Sequence, residues 1–130
     1  HQAAGSKKVL ELHGSILRSM CSVCGRPYPA DEMNHGKGVP KCRCGGVIRP
    51  DIVLYEEPLD DGIMYEAIDY IRNADVLIIG GTSLNVYPAA GLINYYRGNK
   101  LVLVNLSATP YDDEADLVIH EKIGKVFSQL

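Results

Sequence analysis

All the cysteines of this chain lie in one stretch, CSVCGRPYPADEMNHGKGVPKCRC, as two close pairs. Cys21 and Cys24 form C-x2-C, Cys42 and Cys44 form C-x-C, and 17 residues separate the pairs. Two thiol pairs on two turns can converge on one tetrahedral Zn²⁺, each sulfur about 2.3 Å from the metal. Gly25 follows the first pair and Gly45-Gly46 the second, so backbone N–H groups can turn inward towards thiolate sulfur. The second pair is one residue tighter than the usual C-x2-C. Redox and disulfide readings stay open from spacing alone. A redox C-x-x-C does not need a second pair, and structural disulfides suit secreted chains. Four protein thiolates around zinc leave no position for water or substrate, so the metal reading is structural. His35 lies between the pairs and is expected to be a solvated loop histidine.

Other residues suited to chemistry stand further along. His13 sits in LHG; an imidazole is largely neutral at pH 7 and can take a proton from a positioned hydroxyl. By itself it reads as an ordinary core or loop histidine. GGTS (80–83) offers close backbone approach and two hydroxyl donors, and Asn105 offers an amide. Each alone reads as a turn or a strand-end cap.

These groups need elements to position them. Residues 7–13 read as a short strand and 49–57 as an extended segment. DDGIMYEAIDYIRNA carries Ile63, Met64, Ala67, Ile68 and Ile71 at helical spacing behind an Asp60 or Asp61 cap. DVLIIGG (75–81) and KLVLVN (100–105) are continuous apolar runs, the kind buried on both faces of a parallel sheet. A helix is expected from Pro88 to Gly98, a short strand at 116–119, and a terminal amphipathic helix through Ile123, Val126, Phe127 and Leu130. Strand alternating with helix is the pattern of an open parallel α/β sheet, whose ligands bind beyond the carboxyl ends of the strands. Both polar clusters fall there.

The bulk numbers exclude two classes. At 130 residues and 46% hydrophobic, the chain can bury a core. Its net charge of −3 and dispersed basic residues give no nucleic-acid footprint. No apolar run approaches the roughly 20 residues of a membrane span. The chain starts His1-Gln2 and enters a buried-looking run at once, so it is expected to be part of a longer protein. No signal peptide opens it, so the cytoplasm is the expected setting.

Taken in order, VLELHGS, the two cysteine pairs, GGVIRPDIVLYEE, GGTSLNVYPAAG and LVLVNLSATP resemble the sirtuins, the NAD-dependent protein lysine deacylases, most of all the bacterial ones. The resemblance spans essentially the whole chain. It implies an α/β fold: part of a Rossmann-like parallel sheet (1–18 and 47–130) with an inserted four-cysteine zinc-binding module (19–46). It implies NAD and Zn²⁺ as cofactors and an acyl-lysine protein or peptide as substrate. His13 matches the catalytic histidine. The implied reaction starts with attack of the acyl oxygen on C1′ of the nicotinamide ribose and loss of nicotinamide. His13 then serves as general base on the ribose hydroxyls, and the products are free lysine and 2′-O-acyl-ADP-ribose.

Gly81, Thr82, Ser83 and Asn105 match cofactor contacts, with Lys122 and Ile123 at the adenine end. Val53, Leu54, Tyr55, Glu56 and Val86 match the segments between which substrate lies as an added strand. Cys21, Cys24, Cys42 and Cys44 match the metal ligands. Tyr55 and Glu56 replace the usual Phe-Gly, so Glu56 is expected to favour basic residues flanking the acyl-lysine or to alter the register of the peptide. The family's upstream G-A-G-I-S and Q-N-I-D motifs do not occur here. The resemblance therefore implies a C-terminal part, completed by an N-terminal half or a second chain, that alone holds NAD poorly. Transfer of ADP-ribose to protein, or binding without turnover, are the alternatives.

Overall fold

The computed structural model describes residues 1–30 and 38–129. His35 and Leu130 lie outside the described residues. The chain divides into two compact units, His1–Ile63 and Met64–Leu130.

The first unit is built on an antiparallel sheet in the order β2-β1-β3, with β1 Gly14–Cys21, β2 Pro27–Pro29 and β3 Ile48–Ile52. The register between β1 and β3 shifts between Ser15 and Ser19, where Ile16–Arg18 bulge out with Ile16 and Leu17 largely exposed. Arg18 uses that bulge to bridge Glu11 at 2.6 Å and Asp51 at 3.0 Å. Residues 7–13 are not the strand expected. They form an irregular lead-in that ends in a turn, closed by the Gly14 N–H on the Glu11 carbonyl at 2.9 Å. Gly14 has φ +76°, and the ladder begins only there. The apolar side chains of VLEL are half-buried, but the break at Gly14 turns the chain before it can pair.

The second unit holds a parallel sheet in the order β4-β5-β6: β4 Val76–Gly80, β5 Lys100–Val104 and β6 Leu117–Ile119. Helix α1, Asp61–Asn73, starts where the Asp60 carboxylate accepts the Ile63 N–H at 2.8 Å. The expected helix after Pro88 is present as a 3₁₀ helix, Ala89–Tyr95, closed by the Tyr96 N–H on the Ile93 carbonyl at 3.1 Å. The expected terminal helix is short, α2 Ile123–Phe127.

Leu84, Ile93, Leu101 and Leu103 form the core, with Leu77, Ile79, Tyr96, Tyr111, Ala115 and Val118 packed around them. At the strand starts, Tyr96 Oη accepts the Lys100 N–H at 2.9 Å and lies 2.7 Å from the Asp75 carbonyl. Asp116 accepts the Leu101 N–H at 2.7 Å. Within this unit β4 is not covered on both faces, as its apolar run would suggest. Leu77 and Ile79 join the core, whereas Val76 and Ile78 on the other face are 50% and 51% exposed.

Leu103 is 1% exposed at the centre of this core. Leu103→Ala removes its packing, and its destabilisation is expected at about 3 kcal/mol, seen as a lower urea midpoint with unchanged slope.

Candidate functional site

In the first unit the four cysteine sulfurs all lie within 4.8 Å of one another. Cys21 and Cys44 Sγ are 3.5 Å apart, and Cys24 and Cys42 Sγ 3.7 Å. A tetrahedral zinc with Zn–S of about 2.3 Å sets its sulfurs about 3.8 Å apart, so the spacing fits. Both knuckle turns form through left-handed glycines, Gly25 at φ +68° and Gly45 at φ +87°. The Gly25 N–H reaches the Cys21 carbonyl at 3.0 Å, and the Gly45 N–H the Cys42 carbonyl at 2.8 Å. The Val23 N–H points at Cys21 Sγ at 3.4 Å. A Cβ on Gly46 would stand 2.7 Å from Cys21 Sγ, so only glycine leaves the cluster its room.

The thiols also behave as a set that needs a cation. Cys42 is held down to about 6, first by the Cys44 N–H and then by the Tyr28 hydroxyl, which donates to its sulfur at 3.2 Å. Cys44 is pushed up to about 12: the Gly46 N–H opposes this, and the thiols of Cys21, Cys42 and Cys24 outweigh it. Four sulfurs this close cannot all ionise against one another, whereas a divalent ion bound by all four stabilises every thiolate. No position remains open in a site of four thiolates, so the centre supports structure rather than catalysis.

His13 lies immediately before β1, with an exposed side chain. Its carbonyl accepts the Val53 N–H at 3.1 Å. Gly14 presses so closely on β3 that a Cβ there would land on the Asp51 carbonyl. With the Arg18 bridge from Glu11 to Asp51, these contacts tie the segment carrying His13 to β3. Nothing in the residue pattern points to Arg18, because its two partners lie seven residues before it and 33 after it.

Beyond β3 the chain turns at once. The Glu57 N–H bonds the Leu54 carbonyl at 3.1 Å, and Glu57 Oε2 accepts the Leu54 N–H at 3.0 Å. Arg49 grips the same carboxylate with two bonds, 2.6 and 2.8 Å. That guanidinium, then the Leu54 N–H, hold Glu57 down to about 2. Glu56 takes φ +70° at the third position of the turn, a place that favours glycine. Tyr55 beside it is 95% exposed, and Leu54 is half exposed. Val53, Leu54, Tyr55 and Glu56 are therefore presented by a turn whose fixed points, Arg49 and Glu57, sequence reasoning does not single out.

In the second unit the two polar clusters come together at the carboxyl ends of the strands. The Gly81 N–H bonds the Val104 carbonyl at 3.0 Å, and the Asn105 N–H bonds the Ile119 carbonyl at 3.1 Å. A cavity of about 380 Å³ opens there, lined by Gly81, Val104, Asn105, Leu106, Lys122 and Ile123 among others. Gly80 leaves room for the Ile123 side chain, which a Cβ would strike. Asn105 Nδ2 donates to the Ser107 carbonyl at 2.9 Å, which leaves Oδ1 as an acceptor. Thr82 and Ser83 are exposed, and Thr82 Oγ1 accepts the Leu84 N–H at 3.2 Å. They are not among the residues that line the cavity. Leu84, at φ +53°, is buried in the core and anchors this loop, while Val86 beyond it is 59% exposed. An apolar residue after a hydroxyl pair is the one available signal for that anchor.

Comparison with known proteins bears on these clusters directly. The Sir2 family pattern matches residues 1–88. The chain belongs to the Sir2 family. It is 61% identical over 132 aligned residues to an NAD-dependent protein deacetylase of Clostridium perfringens, covering 100% of this chain and 54% of that protein. It is 44% identical over 131 residues to a Staphylococcus aureus NAD-dependent protein deacetylase, covering 100% of this chain and 54% of that one. A solved Sir2 structure with a p53 peptide and NAD⁺ is similar at TM-score 0.91 and 40% identity, over 99% of this chain and 56% of that one. A Sir2 complex with the inhibitor EX-527, 2′-O-acetyl-ADP-ribose and a deacetylated p53 peptide is similar at TM-score 0.90 and 41% identity, over 99% and 57%. The chain thus spans about half the length of the curated relatives it matches.

A high-affinity chelator is expected to unfold the first unit, because structural zinc contributes on the order of 10 kcal/mol. Far-ultraviolet circular dichroism and the melting temperature report it. Unchanged values after metal removal would overturn the structural-metal assignment.

Proposed function

We propose that this chain is the zinc-bearing, histidine-bearing part of an NAD-dependent protein lysine deacylase acting most readily on acetyl-lysine. The observation that carries the reading is His13, exposed and tied by its carbonyl to Val53. Catalytic histidine and substrate segment are thereby coupled within one unit. The similar Sir2 structures with NAD⁺, acetylated peptide and 2′-O-acetyl-ADP-ribose support it.

NAD, when bound, supplies an electrophilic ribose carbon and nicotinamide as leaving group. His13 takes a proton from a ribose hydroxyl as general base. Val53 offers its carbonyl to the acyl-lysine N–H, while Leu54, Tyr55, Glu56 and Val86 hold the peptide main chain as an added strand. Gly81, Asn105 and Ile123 hold the ribose and adenine end in the cavity at the carboxyl ends of β4 and β5, and Thr82 and Ser83, outside its lining, contact ribose and phosphate. On this reading the acyl group passes from lysine to ADP-ribose, nicotinamide leaves, and the oxygen of one water enters as lysine is released, so that the products are free lysine, nicotinamide and 2′-O-acyl-ADP-ribose. Residues 1–18 and 47–130 belong to a Rossmann-like NAD-binding domain, and residues 19–46 form the zinc-binding module. An N-terminal half or second chain completes it. The half-exposed face of β4 is consistent with such a complement. Among the described residues no helix is long and apolar enough to cross a membrane. Four unpaired thiols suit a reducing, cytoplasmic setting.

In the complete protein, His13→Ala is expected to lower deacylation by about 10²–10⁴-fold with little loss of NAD binding. Mass spectrometry should find free lysine and 2′-O-acyl-ADP-ribose. An ADP-ribosylated protein product would overturn the reading in favour of ADP-ribose transfer.

Glu56 carries a second expectation. A left-handed non-glycine residue costs about 1 kcal/mol, so Glu56→Gly should raise stability by that order. On a peptide array it should also weaken a preference for basic flanking residues by about threefold, the scale of an exposed charge pair. An unchanged array pattern would remove Glu56 from recognition.

A further inference from the structure

We propose that His120 and Asp112 are a positioning pair that fixes the Asn105 rim of the cavity and thereby sets affinity for the adenosine half of the dinucleotide. This rests on the dinucleotide reading of that cavity and concerns two residues that neither composition nor family motif singles out.

The geometry is specific. His120 follows β6, and its Nδ1 lies 3.2 Å from the Asn105 carbonyl oxygen. Its Nε2 lies 3.1 Å from Asp112 Oδ2. Both neighbours are acceptors, so making both bonds requires an N–H on each ring nitrogen. The other Asp112 oxygen accepts the Thr109 hydroxyl at 2.6 Å and the Thr109 N–H at 3.0 Å. Thr109, then the His120 ring, hold the Asp112 carboxyl below its ordinary value. Asp112 therefore closes the loop that starts at Asn105, and His120 ties the two ends of that loop together.

Asn105 is gripped from both sides of its peptide. Its N–H is held by Ile119 and its carbonyl by His120, while its side-chain nitrogen is taken by Ser107. What remains is Oδ1, an acceptor for a ribose hydroxyl held in place by its own backbone. Removing the His120 bond frees one side of that grip without touching the ligand. Neighbouring charges do not compete for the ring in the structure. Glu121 is engaged by the Lys125 ammonium and the Lys122 N–H, and Asp113 and Glu114 are exposed on the same 3₁₀ turn as Asp112.

The test uses the complete protein and ADP-ribose as the probe, with binding measured by calorimetry and deacylation measured alongside. His120→Gln is expected to weaken ADP-ribose binding and raise KM for NAD about fivefold, the scale of one hydrogen bond. Neither kcat nor KM for the peptide should change. His120→Arg, which donates in both directions, is expected to restore binding to within about twofold of wild type. Asp112→Asn should match His120→Gln, and combining the two should add little. The proposal is overturned if His120→Gln binds ADP-ribose like wild type, if His120→Arg loses as much as His120→Gln, or if kcat falls while KM for NAD stays. If His120→Gln does not fold, His120→Arg decides alone: retained binding supports the pair and lost binding overturns it. Wild-type protein that binds neither ADP-ribose nor NAD would overturn the dinucleotide reading itself, a result distinct from the variant outcomes.

Discussion

The convergence of four thiols does in the first unit what a hydrophobic core does elsewhere. Among its described residues, and apart from Cys21 and Cys42 themselves, the only hydrophobic residue buried there is Ile48, with Tyr28 packed against the three. So small an apolar cluster gives the unit little hydrophobic stabilisation of its own. A divalent ion bound by four thiolates adds on the order of 10 kcal/mol where that core is thin, and small domains use metals in this way. The strands that end at the cluster are also the strands that lead to the residues given roles in the proposed deacylase. β1 begins at the residue after His13 and ends at Cys21, and β3 runs from Ile48 to the residue before Val53. A centre that performs no chemistry therefore fixes the ladder on which His13 and the turn at 54–57 are hung.

The second unit solves its positioning problem with backbone geometry. Parallel strands end in register, and the ladder continues one residue beyond β4 and β5, through Gly81 and Asn105. Gly81 and Leu84 then take left-handed conformations that lead the chain out of the sheet and back into the core. The loops between are tied internally, Leu84 to Thr82 and Thr109 to Asp112, and anchored at their ends. Polar side chains are thus presented at the carboxyl ends of the strands, where open α/β sheets bind ligands.

Much of this is legible in the residue pattern, for physical reasons. Cys21, Cys24, Cys42 and Cys44 announce themselves because few chemistries require two close thiol pairs with glycine behind each. The α1 stripe announces itself by helical spacing, and β4 and β5 by continuous apolar runs. The lead-in at 7–13 reads as strand and is not one, because apolar content says that a residue is covered but not what covers it. The segment after Pro88 is 3₁₀ rather than α-helical, since spacing alone does not separate one helical pitch from another over seven residues. What sequence does not reveal is the set of long-range polar partners. Arg18 with Glu11 and Asp51, Arg49 with Glu57, and His120 with Asp112 and Asn105 are pairings of common surface residue types. Only the fold brings them together, and each of them fixes a segment carrying residues that have a role in the proposed function. Glu56 shows the converse case: its departure from glycine is visible in the sequence, and the left-handed turn that makes it matter is not.

If the metal cluster holds His13 in place through the β1–β3 ladder, amide hydrogen exchange at Val53 tests it most directly, because that N–H bonds the His13 carbonyl. With zinc bound, the Val53 amide should be protected. After zinc removal its protection should vanish, while the amides of Leu101 and Leu103 in the second unit keep theirs. Val53 protection that survives metal removal would contradict this central role, and the cluster would then be an independent appendage rather than the support of the catalytic segment.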